Sequence, residues 1–172
     1  MSEIFLILRA FLTSLSLTFE LNFLSSTYLL FAAIFKLHLK KNFKSEFEIL
    51  MRNGIDLVFC NLREAELLTR ENNLESCKKR MQEVVPRFVI TLGKHGSYAF
   101  DGKSGYSSQS PTVTAQDSTG AGDTFAGAFL HYICMGKGYD EANKISNRFA
   151  SEVVRKWGAR LPNETIKSLD AE

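Results

Sequence analysis

Several features that announce common functions are scarce in this chain. It has only three cysteines, Cys60, Cys77 and Cys134, without CxxC or any other metal-ligand spacing. That argues against a cysteine-held metal and reads as reduced, intracellular thiols, each a small buried hydrophobe. Charge of one sign is not in excess: 21 Lys and Arg face 19 Asp and Glu, and a net charge of +2 gives no reason to expect nucleic acid. Long apolar runs are missing as well. The two uncharged stretches, 10–19 and 21–35, are split by Glu20, and the second holds Asn22, Ser25, Ser26 and Thr27. Neither reaches the ~18 apolar residues that argue for a membrane span. Gly93 and Gly96 lack the P-loop spacing and its Lys-Ser/Thr ending, and Phe125 stands where a Rossmann fingerprint continuing from Gly120 and Gly122 needs a third glycine.

What is present describes an ordinary soluble domain. At 172 residues, 45% hydrophobic and 23% charged, the chain has the length of one domain with a real core. Residues 1–41 stand apart, rich in Leu, Phe, Ser and Thr and without Gly or Pro. A buried helix or strand and a non-native leader both fit them. A signal peptide is disfavoured by the lack of a clean small-residue cleavage site.

From Asn42 the pattern alternates. Phe43, Phe47, Leu50 and Met51 share a helical face that Asn53-Gly54 stops. Residues 55–59 form a short apolar run, as in a strand buried on both faces. Cys60-Asn61-Leu62-Arg63-Glu64 then turns helical, with Asn61 and Glu64 at capping-box spacing. Residues 74–85 predict an amphipathic helix, 87–92 a second buried strand, and 97–100 with 106–109 a hairpin. Residues 111–115 are a further extended piece. A long helix begins at Thr124, and another runs from Asp140 to about Lys156, with Ala142, Ile145, Phe149, Val153 and Val154 on its apolar side. Strands alternating with helices argue for an α/β layer structure with a mostly parallel sheet.

The informative stretch is Asp117-Ser118-Thr119-Gly120-Ala121-Gly122-Asp123-Thr124-Phe125-Ala126-Gly127-Ala128-Phe129. A glycine-rich turn that opens a helix aims free N–H groups and the positive dipole end at one point, which suits a phosphate. Asp123 is out of place in a plain anion site, but it fits if a nucleophile attacking the bound phosphate must give up a proton. The same Asp123 would also serve as a dipole-complementing residue, with the glycines making a tight turn. Upstream, Thr91-Leu92-Gly93-Lys94-His95-Gly96 is a polar glycine turn directly after a strand. It reads as an ordinary loop or as a nucleotide turn. All these places follow a strand or extended segment, and ligands of open α/β sheets gather outside the carboxyl ends of the strands.

The thirteen residues from Asp117 resemble the C-terminal signature of the PfkB, or ribokinase-like, family of sugar and nucleoside kinases. The likeness covers roughly 43–162, about 120 of the 172 residues. It implies a ribokinase-like, three-layer αβα fold, incomplete here, with 1–41 a segment of uncertain status, 42–162 the kinase portion and 163–172 a tail. It also implies that Asp123 is the catalytic base and that Gly120, Ala121, Gly122 and the Asp123 amide form the anion hole. Asn61 and Glu64 match the family's Asn-x-x-Glu and would act on Mg2+ through water, while Thr91, Gly93 and Gly96 would line ATP. Asn147 would contact the nucleotide, and Asp117, otherwise a turn-forming residue, is a candidate for a monovalent cation such as K+. The reaction implied is transfer of the γ-phosphate of ATP to a primary hydroxyl of a sugar or nucleoside in the cytoplasm. The ending 147–160 looks closest to adenosine-kinase-like sugar kinases, with ribose-type sugars behind them. The family's N-terminal half, with its own glycine signature, sugar-binding residues and lid, has no counterpart in 1–41. A truncated or pseudokinase nucleotide-binding domain without turnover is therefore the alternative expectation.

Overall fold

The computed structural model describes residues 31–33 and 56–170. The helix expected around Phe43 to Met51 and most of the N-terminal segment lie outside them. Five strands form one sheet in the order β1-β2-β3-β4-β5: β1 (Phe31–Ala33), β2 (Leu57–Asn61), β3 (Phe88–Thr91), β4 (Ser97–Phe100) and β5 (Gly105–Ser108). Five helices accompany them: α1 (Leu62–Thr69), α2 (Leu74–Val84), α3 (Ala121–Cys134), α4 (Tyr139–Val153) and α5 (Asn163–Asp170). Pairing is parallel for β1–β2 and β2–β3 but antiparallel for β3–β4 and β4–β5. The described sheet is therefore mixed, where a mostly parallel one was expected. Only Leu92 to Gly96 separates β3 from β4. A parallel crossover needs a dozen or more residues, so β4 has to return antiparallel.

Period-two alternation sorts the strand side chains onto two cores. Val58, Cys60, Phe88, Ile90 and Tyr98 pack on one face with Ala65 of α1 and Cys77 and Met81 of α2. Phe59, Val89 and Ala99 point the other way and pack with Phe125 and Phe129 of α3 and Phe149 of α4. Because both faces are covered, β2 and β3 are almost continuously apolar.

The helix boundaries follow local chemistry. Asn61 caps α1 in a full capping box, and Arg70 ends it in the left-handed conformation. Asn73 caps α2 through Ser76 N, and Val85 leaves it in an extended conformation ahead of Pro86. The second long helix stops at Val153. The tail beyond 162 is not plain coil but holds α5, whose Asp170 accepts a hydrogen bond from the Tyr132 hydroxyl of α3. The piece over 111–115 is not a strand.

Phe129 is the hub of the second core: it is fully buried, meets Phe59 and Tyr139 edge-on and stacks with Phe125. Replacing it with Ala should lower the unfolding free energy by about 3–5 kcal/mol, the cost of a large aromatic cavity. Urea denaturation with an unchanged m-value would check this, and a loss within error of zero would refute the packing described.

Candidate active site

The parallel register of β2 and β3 sets Asn61 directly beside Thr91, each the last residue of its strand. The Thr91 hydroxyl reaches the Cys60 carbonyl at 3.5 Å. Beyond Asn61 the chain enters α1 at once. The Asn61 Oδ1 accepts from Glu64 N at 2.9 Å, and Glu64 Oε2 accepts from Asn61 N at 2.9 Å. The capping box and the pocket wall are thus the same pair of residues. The capping box uses only one oxygen of the Glu64 carboxylate, Oε2.

Opposite these strand ends lies the start of α3. Gly120 is its N-cap in the left-handed conformation, at φ 80°, and no side chain caps the helix. Ala121 N reaches Ser118 O at 3.3 Å and Thr124 N reaches Gly120 O at 2.8 Å. The first-turn amides of an uncapped helix are the groups a bound anion satisfies.

A single cleft of about 260 Å³ runs between the two sides. Its lining includes Asn61, Glu64 and Thr91 from the strand ends and Gly120, Gly122 and Asp123 from α3. Ser118, Phe59, Cys60 and Ala126 also line it and had not been singled out as site residues. Ser118 sits inside the motif; the other three are core positions whose approach to the cleft depends on packing. The Cys60 thiol is buried, and burial followed by the nearby Glu64 carboxylate pushes its pKa far up, so it is no nucleophile.

The two glycines serve different ends. A Cβ at Gly120 would fall 2.6 Å from the Ala159 Cβ and 2.8 Å from its carbonyl oxygen, so only glycine lets the turn lie against this segment. A Cβ at Gly122 would meet nothing within 4 Å. No fold contact requires glycine there, although a glycine in a helix is costly. What its absent side chain leaves is room over the cleft.

The remaining expected residues are not part of this lining. Ala121 is within the first turn of α3. Gly93 opens a 3-10 turn over Gly93–His95, and Gly96 closes it, buried at φ 93° with Leu92 N bonded to its carbonyl at 2.8 Å. Asn147 is buried in α4, where its Nδ2 donates to Ser97 Oγ at 2.7 Å and to Asn143 O at 3.0 Å. Asp117 accepts from Thr119 N at 2.8 Å through Oδ1 and from Gly158 N at 3.1 Å through Oδ2. Gln116 N and Asp117 N both bond to Val154 O. The loop before α3 is thereby tied to the end of α4. Trp157, beside Gly158, stands 81% exposed.

Among the described residues no group of three or more His, Cys, Asp or Glu could hold a metal, and no helix is long and apolar enough to cross a membrane. A magnesium ion carried in on phosphates needs no such cage.

The sequence profile of the pfkB family of carbohydrate kinases matches residues 14–166. The chain belongs to the pfkB family. This pfkB chain is 32% identical over 107 residues to a cytidine kinase of Thermococcus kodakarensis, covering 60% of itself and 38% of that protein. It superposes on the crystal structure of an adenosine kinase from Sinorhizobium meliloti with a TM-score of 0.71 at 28% identity, over 77% of this chain and 41% of that one. A fructokinase from Vibrio cholerae O395, crystallised with fructose, ADP and calcium ion, gives a TM-score of 0.60 at 26% identity, over 68% and 40% of the two chains. The fold is ribokinase-like α/β, and the chain spans about two fifths of the length of these relatives.

Two expectations follow from this geometry. Gly120→Ala should cost about 1–3 kcal/mol of stability through its left-handed backbone and the clash with Ala159, measurable by urea denaturation, whereas Gly122→Ala should be neutral or stabilising. The hydrogen bonds from Thr119, then the Gly158 amide, hold the Asp117 carboxyl below the usual range. A lowered folded-state pKa adds stability above the ordinary Asp value of about 3.9 and loses it as pH falls through the folded value. The stability gap between the native chain and Asp117→Ala should therefore close on acidification below that value, and a gap independent of pH would refute it.

Proposed function

We propose that this chain is the nucleotide-binding portion of an ATP-dependent phosphotransferase that moves the γ-phosphate to a primary hydroxyl of a nucleoside or sugar. The observation that carries this reading is the single cleft in which the Asp123 carboxylate and the bare face of Gly122 meet Asn61, Glu64 and Thr91. A carboxylate is unwelcome in a pure anion site but is required where a hydroxyl must lose its proton beside a bound phosphate.

In this scheme Asp123 accepts the proton of the acceptor hydroxyl. That oxygen forms the new bond to the γ-phosphorus as the bond to the β-phosphate oxygen breaks, and ADP leaves with the electron pair. The amides of Gly120, Ala121, Gly122 and Asp123 hold the charge on the transferring group in a preorganised site. Thr91, Gly93 and Gly96 position the nucleotide, with Asn147 behind them. Asn61 and Glu64 would hold magnesium through water, and the metal would supply further neutralisation of phosphate charge. Asp117 would border a K+ ion next to the anion hole. The kinase portion expected over 42–162 would extend N-terminally to take in β1 and the family match from residue 14, in a three-layer αβα architecture, a reading supported by helices and cores on both sheet faces. The names of the relatives include nucleoside and sugar acceptors alike, and the acceptor in this reading is adenosine or a ribose-like sugar.

The alternative reading is a nucleotide-binding domain without turnover. One pair of measurements separates the two. ADP release is followed with adenosine, cytidine and ribose as acceptors, alongside thermal unfolding with and without MgATP. Ligand at a hundred times its Kd should add about 2.7 kcal/mol of stability. On the kinase reading, Asp123→Asn keeps that thermal shift while turnover falls about 10²–10⁴-fold. Turnover that survives Asp123→Asn refutes the assignment of the base, and a shift without any turnover supports the second reading.

A further inference from the structure

Outside the cleft, a cluster of buried polar side chains lies between α4 and the β4–β5 hairpin. Ser97, Asn143 and Asn147 are 1%, 0% and 3% exposed. Ser97 Oγ donates to Asn143 Oδ1 at 2.6 Å and accepts from Asn147 Nδ2 at 2.7 Å. Asn143 Nδ2 donates in turn to the Tyr106 carbonyl at 3.0 Å. Apolar packing would hold a helix on a hairpin at least as firmly, since buried polar groups must first recover their desolvation. What a satisfied network adds is a fixed position, because a shift of an ångström leaves donors and acceptors unpaired.

The fixed point is informative. Ser97 directly follows Gly96, the last residue of the Thr91–Gly96 turn, and pairs with Thr91 across the sheet. The turn is closed on itself by backbone bonds from Leu92 to Gly96, His95 to Leu92 and Gly96 to Gly93. At Gly96 a Cβ would fall 1.9 Å from Ser108 O, so the turn sits hard against β5. Wherever Ser97 is held, the whole turn is held. The far end of α4 is fixed with equal care: Val154 O takes the amides of Gln116 and Asp117, and Gly158 N binds Asp117. One helix is therefore fastened near its middle to Ser97, and so to the Thr91–Gly96 turn, and at its C-terminal end to the loop that leads into Gly120.

We propose that Ser97, Asn143 and Asn147 are positioning residues that make α4 the spacer between the nucleotide turn and the anion hole. This rests on the nucleotide reading of the Thr91–Gly96 turn given above. Asn147 then acts on the nucleotide through Ser97. A ligand that engages both ends, such as MgATP, senses the spacing. A ligand confined to the cleft, such as tripolyphosphate, meets the turn only at Thr91 and senses the spacing far less.

The test is calorimetric titration of the 172-residue chain with MgATP and, separately, with magnesium tripolyphosphate. Asn143→Asp keeps the acceptor for Ser97 and removes the donor to Tyr106; Ser97→Ala is the milder variant should the first fail to fold. Met81→Ala, in the core on the opposite sheet face, is the control for lost stability. All titrations are run at a temperature where circular dichroism shows each protein folded. The expected result is MgATP binding weakened by about tenfold, equivalent to ~1.4 kcal/mol, in the Ser97 and Asn143 variants. Tripolyphosphate binding by those variants, and MgATP binding by Met81→Ala, should stay within about twofold. Equal MgATP affinity in native chain and variants, with only the unfolding temperature lowered, would reduce the network to a structural role and overturn the proposal. Parallel loss of both ligands would also overturn it. A native chain that binds tripolyphosphate but not MgATP would instead bring down the nucleotide reading itself, and the spacer with it.

Discussion

Two parallel strands, covered on both faces, impose the constraint from which the rest of this molecule follows. β2 and β3 run almost wholly apolar, so the chain must stop being strand where the cores end. It does so at Asn61 and Thr91, in register with each other. Their polar side chains emerge at the same level, on the side where α3 begins. Helix starts and strand ends are both places where backbone groups lack partners within their own element. Bringing two such places together concentrates unsatisfied polarity in a small volume without any buried charge. The cleft is a consequence of how the sheet is closed off, and the residues that line it were placed there by packing on either side.

How far this was readable beforehand depended on the kind of signal. β2, β3, the hairpin and α2 show themselves as apolar runs or helical periodicity bounded by turn residues and caps, and they lie within a residue or two of where those signals put them. The start of α3 was harder. Gly120 and Gly122 look alike as turn residues, but only Gly120 is left-handed, while Gly122 is already helical. α5 escaped because it is eight residues long with no buried residue, so its short pattern is indistinguishable from a tail. The antiparallel return of β4 followed from the brevity of the Leu92–Gly96 connection, a stronger indicator than the alternation of strands and helices.

The site divides the same way. Residues belonging to contiguous motifs at strand ends and at the start of α3 are brought to one cleft. Asn147 shows what a motif cannot disclose. With Asn143 it forms an i,i+4 pair of amides on an otherwise apolar side of α4, which already signals a buried network. The partner on which both converge, Ser97, is 46 and 50 residues away and has no sequence feature tying it to them. Likewise the closeness of Gly120 to Ala159 is fixed by how the end of α4 meets the loop before α3.

Trp157 is the single tryptophan of the chain, and it projects into solvent next to the glycine whose amide holds Asp117. An indole so exposed emits at the red end of its range, and any rearrangement that covers it shifts the emission to the blue. The protein thus carries its own optical reporter at the junction of α4 and the loop before α3. Excitation at the red edge of the indole band would reach this one fluorophore with no tyrosine background. Closure of that junction, by a small ligand or by another polypeptide, would be visible without a label.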